Sequence, residues 1–273
     1  MSRWRPDRIR IALHRDRAAL IRWSGRGRAP VASQLLALPE AATPQQVGEA
    51  LGDALGQDGW RHGAIEVVLS HALCRLALVP GGIDVRGEEE EDALHRNCVE
   101  EANGELPSGW RLSVAEAPAH LPRPVCAMDG ALIEALDTAA ASAGGHIVSL
   151  RPLLVDACNA RQVELQQGRC WFVVVERERA CLLRLLDGVW CNLRVKRLFG
   201  ETEAELATLL RQERLLAGNE PAPERLLLCS PNHPGLRIPP GFAANPLQVE
   251  SSSRTAWPGL GAGDYGLALE GLQ

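Results

Sequence analysis

A few side chains in this 273-residue sequence are of types that carry chemistry, but their neighbours do not complete a catalytic set. Lys196 is the only lysine, so any Schiff-base or phosphate-loop lysine would be this residue. No G-x-x-x-x-G-K-[ST] motif surrounds it. His14 and Asp16 could form a His–Asp pair, yet no serine or cysteine in a suitable setting completes a triad. The sequence therefore predicts no catalytic residue.

Residues 261–266 match the G-x-G-x-x-G pattern of dinucleotide-binding proteins. A functional copy needs a strand before it, a full helix after it and an acidic residue about 20 positions further on. Here an irregular segment precedes the match and seven residues follow it. We therefore interpret the match as accidental.

The sequence contains eight cysteines and no C-x-x-C pair. They are Cys74, Cys98, Cys126, Cys158, Cys170, Cys181, Cys191 and Cys229. Their aliphatic neighbours favour small core residues, and the spacing supports neither of the alternatives, disulfides or a zinc site. This usage fits a reducing, cytoplasmic compartment.

Composition narrows the class of protein. Hydrophobic residues make up 46% and charged residues 23%, as in a soluble globular protein. The formal net charge of −5 gives no reason to expect a nucleic-acid partner. No stretch approaches the roughly 20 apolar residues that span a bilayer. The arginine-rich start, residues 3–10, is either a solvated strand end or a contact for anionic lipid or an acidic partner.

Hydrophobic patterning predicts an α/β protein whose two halves each open with a three-stranded meander. The meander strands are expected at residues 8–13, 17–23 and 31–38, and again at 170–175, 180–186 and 189–197. Each half then alternates helices and strands. The further strands are expected at 64–69, 74–79, 110–116, 124–128, 147–150, 225–229 and 247–250. The helices are expected at 44–55, 88–102, 130–143, 152–160 and 202–216.

Capping residues mark several predicted helix starts. Thr43 with Gln46, and Thr202 with Glu205, have the spacing of capping boxes. The four acids Glu88–Glu91 suit a first helical turn because they face the positive end of the helix dipole. A cation site is the alternative function of this run. In the same helix, the buried stripe is expected to consist of Leu94, Cys98 and Ala102.

Several segments in order along the chain resemble the actin/Hsp70/sugar-kinase superfamily. They are Cys74–Pro80, Val125–Asp129, Ile147–Leu154 and Asp264–Leu269. The chain looks most like the PilM-type proteins of type IV pilus assembly and the cytoplasmic domain of GspL-type secretion proteins. The resemblance implies an actin-like (RNase H-like) two-lobe α/β fold. It implies a first lobe at 1–160 with an inserted α/β subdomain at about 65–125, and a second lobe at 161–273.

The resemblance also points to where a nucleotide would bind. Actin-like ATPases hold phosphates with an Asp-x-Gly turn after the first strand of each lobe, where glycine lets backbone N–H groups approach. Here the two turns, residues 12–17 and 174–179, contain no glycine and are crowded with charged side chains. In the adenosine loop, after residues 225–229, Pro231 stands where a donating backbone is needed.

We therefore expect a degenerate nucleotide cleft, with no cofactor and no enzymatic activity. Residues near it should be His14, Arg15, Asp16, Glu176, Arg177 and Pro231. Opposite charges from the two turns are expected to interact there. The alternative is an ATP-binding ATPase or sugar-kinase-like phosphotransferase of the same superfamily, with the arginines attracting phosphate.

The resemblance implies a non-catalytic cytoplasmic scaffold of a type IV pilus or type II secretion inner-membrane platform. It would dock the tail of a PilN-like single-pass membrane protein, stay at the membrane through that partner, and link it to the motor ATPase. The docking groove would lie between the first-lobe core and the inserted subdomain. The expected contact residues are Arg75, Leu76, Glu88, Glu89 and Glu90. These acids would suit a basic tail, or would serve only the start of their helix.

Overall fold

The computed structural model describes residues 7–25, 30–218, 221, 223–233, 235–242 and 245–248. Residues 245–248 are described by their backbone only. The first half contains β1 (Arg8–Leu13), β2 (Arg17–Trp23), β3 (Pro30–Ala37), α1 (Pro44–Gly56), β4 (Ala64–Leu69), β5 (Cys74–Val79), α2 (Glu88–Asn103), β6 (Trp110–Val114), β7 (Arg123–Asp129), α3 (Gly130–Ser142), β8 (His146–Pro152) and α4 (Leu153–Ala160). The second contains α5 (Gln162–Leu165), β9 (Arg169–Val175), β10 (Arg179–Leu186), β11 (Val189–Arg197), α6 (Thr202–Leu216), β12 (Arg225–Cys229) and β13 (Asn245–Gln248). The match Gly261–Gly266 and the segment Asp264–Leu269 lie outside the described residues.

Two five-stranded sheets share one topology. The first has the order β3-β2-β1-β4-β8 and the second the order β11-β10-β9-β12-β13. In the first sheet, the central strand β1 is antiparallel to β2 and parallel to β4, which follows α1. In the second sheet, the central strand β9 is likewise antiparallel to β10 and parallel to β12, which follows α6. The predicted meanders are thus confirmed, and the fold is an α/β fold with two sheets of the same topology. The lobe limits at residues 160 and 161 remain a prediction.

The first hairpin turn of each sheet has the same hydrogen bonds. In each turn, the N–H of the first residue donates to the carbonyl of the first residue of the returning strand. In both sheets, the N–H of the residue directly after the third meander strand donates to the carbonyl of the last turn residue. The matching pairs are His14–Arg17 (2.9 Å) with Glu176–Arg179 (2.8 Å), and Leu38–Asp16 (2.8 Å) with Leu198–Glu178 (2.8 Å). The two turns are therefore structurally equivalent.

A third sheet, β5-β7-β6, is antiparallel and carries α2 on one face. It has a small core of its own, separate from those of the larger sheets. Here the predicted stripe on α2 is corrected: the buried residues are His95 and Val99. Leu94 and Cys98 are half-buried and Ala102 is exposed, because α2 packs against only one thin sheet.

The two predicted capping boxes have different outcomes. Thr43 caps α1 as expected, since its hydroxyl accepts from the Gln46 N–H and the Gln46 side chain accepts from the Thr43 N–H. The box at Thr202 is wrong. Glu201 is the N-cap of α6 and makes no side-chain capping bond, while Thr202 is already helical.

The predicted cysteine cores are largely confirmed. None of the eight cysteines forms a disulfide, and six are buried. Cys98 is half-buried and Cys191 is exposed. Burial raises the pKa of Cys170 to about 11, so this thiol stays protonated at neutral pH. None of the described helices is long and apolar enough to cross a membrane.

Two glycines on α1 allow a matched stability test. A Cβ at Gly48 would lie 2.9 Å from the Cβ of Ala135 and 3.0 Å from its carbonyl oxygen on α3. A Cβ at Gly52, one turn later, would have only ordinary contacts at 3.9 Å. We expect Gly52→Ala to stabilise the protein by up to about 1 kcal/mol through helix propensity. Gly48→Ala should instead destabilise it by about 1–3 kcal/mol through overpacking.

Chemical denaturation of the two single variants measures the difference. Equal midpoints for Gly48→Ala and Gly52→Ala would contradict the close packing of α1 on α3.

Candidate functional site

The first residue of the second-lobe turn, Glu176, is buried between the lobes. Its side chain is 1% exposed. One carboxylate oxygen accepts from the Ser70 hydroxyl, and the other accepts from the His71 N–H at 2.9 Å. Ser70 and His71 directly follow β4 in the first lobe. A turn of one lobe is thus bound to a loop of the other.

The His71 ring lies between Glu176 and the first turn of α4. Its Nδ1 contacts the Glu176 carboxylate, and its Nε2 accepts from the Leu154 N–H at 3.1 Å. Burial acts to lower the pKa of this ring, but nearby negative charge, including that of Glu176, outweighs burial and raises the pKa to about 10. Because the Leu154 N–H needs a lone pair on Nε2, the ring carries a proton on Nδ1, which faces the Glu176 carboxylate.

The same turn is held from a third side by the loop after β12. The His233 ring donates from Nε2 to the Glu176 carbonyl at 3.0 Å. The Ser230 hydroxyl donates to the His233 carbonyl at 3.0 Å and so shapes this loop. We call Ser70, His71, Glu176 and His233 the interlobe latch.

Electrostatics keep the latch carboxylate ionised. Burial acts to raise the pKa of Glu176, but His71 and the Ser70 hydroxyl outweigh burial and leave the pKa below its usual value. Both ring nitrogens of His71 lie against groups of the chain, and the ring is 1% exposed. The His71–Glu176 pair is therefore shielded from solvent.

Four backbone donors near the two turns are used within the chain. The N–H groups of His14 and Glu176 close their own turns, that of His71 donates to Glu176, and that of Ala72 donates to the Ser70 hydroxyl. A phosphate cradle needs such N–H groups pointing at the ligand. In the described part of the chain, no three His, Cys, Asp or Glu residues are arranged to hold a metal ion.

The predicted residues of the first turn interact locally. The His14 ring contacts Asp16 at 2.7 Å, and Arg17 pairs with the same carboxylate at 2.7 Å. Arg17 and His14 hold the pKa of Asp16 well below its usual range. Arg15 donates to the Ala72 carbonyl at 3.1 Å.

Glu176, the acid predicted to meet the charges of the first turn, instead binds the Ser70–His71 loop. Between the turns, Arg15 and Arg179 repel each other. Burial lowers the pKa of Arg179 most, and the positive charge of Arg15 lowers it further. Glu176 is buried, whereas Arg15 and Asp16 of the first turn are exposed. Arg177 is half-buried, and Pro231 lies in the loop that carries His233.

The residues predicted to bind a partner lie in separate places. Arg75 stacks on Trp110, 5.0 Å from the ring centroid, and donates to the carbonyls of Gly104 and Glu105. Leu76 is buried. Glu88, Glu89 and Glu90 are exposed in the first turn of α2, and Glu90 accepts from the Arg86 N–H at 2.6 Å.

A cavity of about 540 Å³ lies where the three-stranded sheet β5-β7-β6 meets β8 and α4 on one side and the β10–β11 hairpin on the other. We call it the apolar groove. Its walls are mostly aliphatic, and it continues along residues 113–117, beyond the end of the edge strand β6. Residues from all three parts line it, among them Leu76, Met128, Leu150, Val155, Leu185 and Trp190.

A second, smaller depression of about 340 Å³ adjoins it. We call it the acidic groove. Four acids line it together with His95 and Arg123: Glu88, Glu91, Asp92 and Glu116. Arg123 pairs with Glu91 at 3.0 Å. Residues 114–116 line both depressions, so the apolar and acidic grooves form one continuous surface.

Comparison with known proteins defines the class of fold. No protein-family model and no curated protein matches the sequence. Among solved structures, the chain is similar to one described as the PilM-PilN type IV pilus biogenesis complex, with a TM-score of 0.58 and 17% identity over 98% of this chain and 99% of that one. It is also similar to the cytoplasmic domain of EpsL, an inner membrane component of the type II secretion system of Vibrio cholerae. There the TM-score is 0.56, with 12% identity over 89% of this chain and 90% of that one.

A third similar structure is a Bacteroides thetaiotaomicron protein with an actin-like ATPase fold and unknown function. Its TM-score is 0.58, with 10% identity over 91% of this chain and 92% of that one. The chain therefore has the actin-like ATPase fold, over almost its whole length.

Proposed function

We propose that this protein is a non-catalytic cytoplasmic scaffold of a type IV pilus or type II secretion platform. It docks the cytoplasmic tail of a PilN-like inner-membrane protein, associates with the membrane through that partner, and links it to the motor ATPase. Its fold is that of PilM and the EpsL cytoplasmic domain, which supports this choice of systems.

One observation carries the non-catalytic part of the proposal. Glu176 begins the turn that, in an active relative, would face phosphate, and here its carboxylate is bound to Ser70 and His71 of the opposite lobe. A nucleotide phosphate would have to break these bonds and approach a buried negative charge.

We therefore expect no ATP binding at submillimolar concentration in calorimetry with Mg²⁺. Binding at that level would overturn the non-catalytic part of the proposal and favour the ATPase or kinase alternative. Glu176→Ser is the informative companion variant, because it removes the charge that should repel phosphate.

The continuous groove surface suits an extended tail with apolar residues followed or preceded by basic ones. Apolar side chains would occupy the apolar groove beside β6, whose outer edge is unpaired in the described sheet. Lysine or arginine would lie near the acids of the acidic groove. Basic residues are common where a chain approaches a membrane span on its cytoplasmic side.

The acidic groove allows a charge-reversal test on one helix turn. Of the acids that the sequence pointed to, Glu88 lines this groove, while Glu89 and Glu90 do not. We expect the double variant Glu88→Arg, Asp92→Arg to weaken binding of a basic tail peptide about tenfold or more, through lost attraction and added repulsion.

The matched control is Glu89→Arg, Glu90→Arg, with equal charge change, which should weaken binding less. Fluorescence anisotropy with a labelled tail peptide measures both. If the control pair weakens binding as much as the groove pair, long-range charge rather than the groove determines affinity. Recovery of a PilN-like membrane protein with the wild type, but not with the groove variant, from the native host would test the partner itself.

A further inference from the structure

Arginines converge on a cavity that neither the latch nor the grooves include. The cavity has a volume of about 390 Å³ and lies between the first turn, the start of α1, the loop before β5 and the edge of the second sheet. Three arginines line it, Arg15, Arg75 and Arg179, against one acid, Asp129. Asp129 is already used as the N-cap of α3, accepting from the Ala131 N–H at 2.9 Å.

Arg179 is the residue whose position needs explaining. It is half-buried, and within the residues that the structure describes no carboxylate forms an ion pair with its guanidinium. It lies directly opposite Arg197 in the β10–β11 pairing, and like charges in such cross-strand pairs are destabilising. Burial and the positive charges of Arg15 and Arg197 lower its pKa, and the negative charge of Glu176 offsets this only in part. A bound anion would relieve this repulsion.

The other walls help to identify the anion. The Arg75 guanidinium donates to two carbonyls and stacks on Trp110, so it serves mainly as a fixed positive wall. The N-terminus of α1 adds positive potential beside Pro44. Four backbone N–H groups near the two turns, those of His14, Glu176, His71 and Ala72, are already used within the chain and are not available to a phosphate.

The remaining lining is aliphatic and includes Val47, Leu73, Leu132 and Val195. Planar guanidinium groups match a carboxylate in a bidentate fashion, and aliphatic walls suit a short hydrocarbon stem. We propose that Arg15 and Arg179 form a binding site for a carboxylate carried on an aliphatic stem. The source is either a free dicarboxylate or an acidic side chain of a partner.

This site shares no lining residue with the apolar or acidic groove. Its test is therefore independent of tail docking and of the proposed function.

The experiment is calorimetry with four probes on the full chain. The carboxylate probes are glutarate and the capped peptide acetyl-Leu-Glu-Leu-amide, and glutaramide is the uncharged control. Pyrophosphate is the competing anion. We expect the wild type to bind at least one carboxylate probe at millimolar concentration and not glutaramide. Glutarate alone would identify a free dicarboxylate as the source, and the peptide alone a partner side chain.

Variants assign the binding to the two arginines. Arg179→Gln and Arg15→Gln should each weaken binding about tenfold or more, as expected for loss of a charge-assisted hydrogen bond. The control Arg96→Gln on α2, outside the cavity lining, should bind as the wild type does. Without ligand, Arg179→Gln should melt at the same temperature as the wild type or higher, because it removes repulsion.

Any of four results would overturn the proposal. Three concern binding: no carboxylate binding by the wild type, unchanged binding in both arginine variants, and tighter binding of pyrophosphate than of either carboxylate probe. The fourth is a lower melting temperature for ligand-free Arg179→Gln, because the charge would then already be compensated.

Discussion

Glu176→Ala should lower the free energy of unfolding by about 3–5 kcal/mol. The substitution removes the acceptor of the Ser70 hydroxyl and of the His71 N–H, and both donors lie in residues that are at most 1% exposed. Buried donors without a partner each cost about 1–3 kcal/mol. Urea or guanidinium unfolding measures the loss as a shift of the midpoint at unchanged slope.

Glu178→Ala is the matched control in the same turn. Its side chain is exposed and pairs with Arg197 at 3.5 Å across the surface, so its loss should cost less than about 1 kcal/mol. Equal losses for the two variants would mean that Glu176 does not join the lobes.

Asp156→Ala should also have a large effect and lower the free energy of unfolding by about 3 kcal/mol or more. Asp156 is 3% exposed, and its carboxylate accepts from Arg10 and from Arg151, the latter at 2.8 Å. Arg10 lies in the middle of β1 and is itself 3% exposed, so the substitution removes a carboxylate from beside a buried positive charge.

The paired replacement Arg10→Met, Asp156→Leu separates charge from packing. Removing both charges avoids an uncompensated ion, so the double variant should be clearly more stable than Asp156→Ala. Glu66→Ala, which removes a more exposed member of the same network, should cost less than Asp156→Ala. A double variant no better than Asp156→Ala would show that the network has a role in packing rather than in charge balance.

The strands and most helices could be predicted because local signals agree with the fold. Thr43-Pro44 starts α1 in the structure as the capping rule requires, and Asp187-Gly188 forms the hairpin turn with positive φ at both residues. The acids Glu88–Glu91 begin α2 as expected from the helix dipole.

Predictions that depended on tertiary packing were less successful. On α2, burial follows the side facing the three-stranded sheet, which selects His95 and Val99, and periodicity alone favoured a neighbouring stripe. At Thr202 the i,i+3 spacing was present, but the helix begins one residue earlier than a capping role for Thr202 allows.

The candidate site shows the same division. The absence of glycine in both turns could be seen in the sequence, and so could the proline in the adenosine loop. The burial of Glu176 could not, because a charged residue in a hairpin turn is normally solvated. Its partners, Ser70 and His71, are more than 100 positions away in the sequence, and nothing local marks them as acceptors or donors for it.

The equivalence of the two hairpin turns has a thermodynamic consequence. A lobe junction held by a diffusing anion is populated according to the concentration of that anion in the cell. Here the anion is the Glu176 side chain, a ligand tethered to one lobe and bound by the other. Its effective concentration is fixed by the chain. If the protein binds no nucleotide, as proposed, we expect the closed junction to persist regardless of the ATP concentration in the cell.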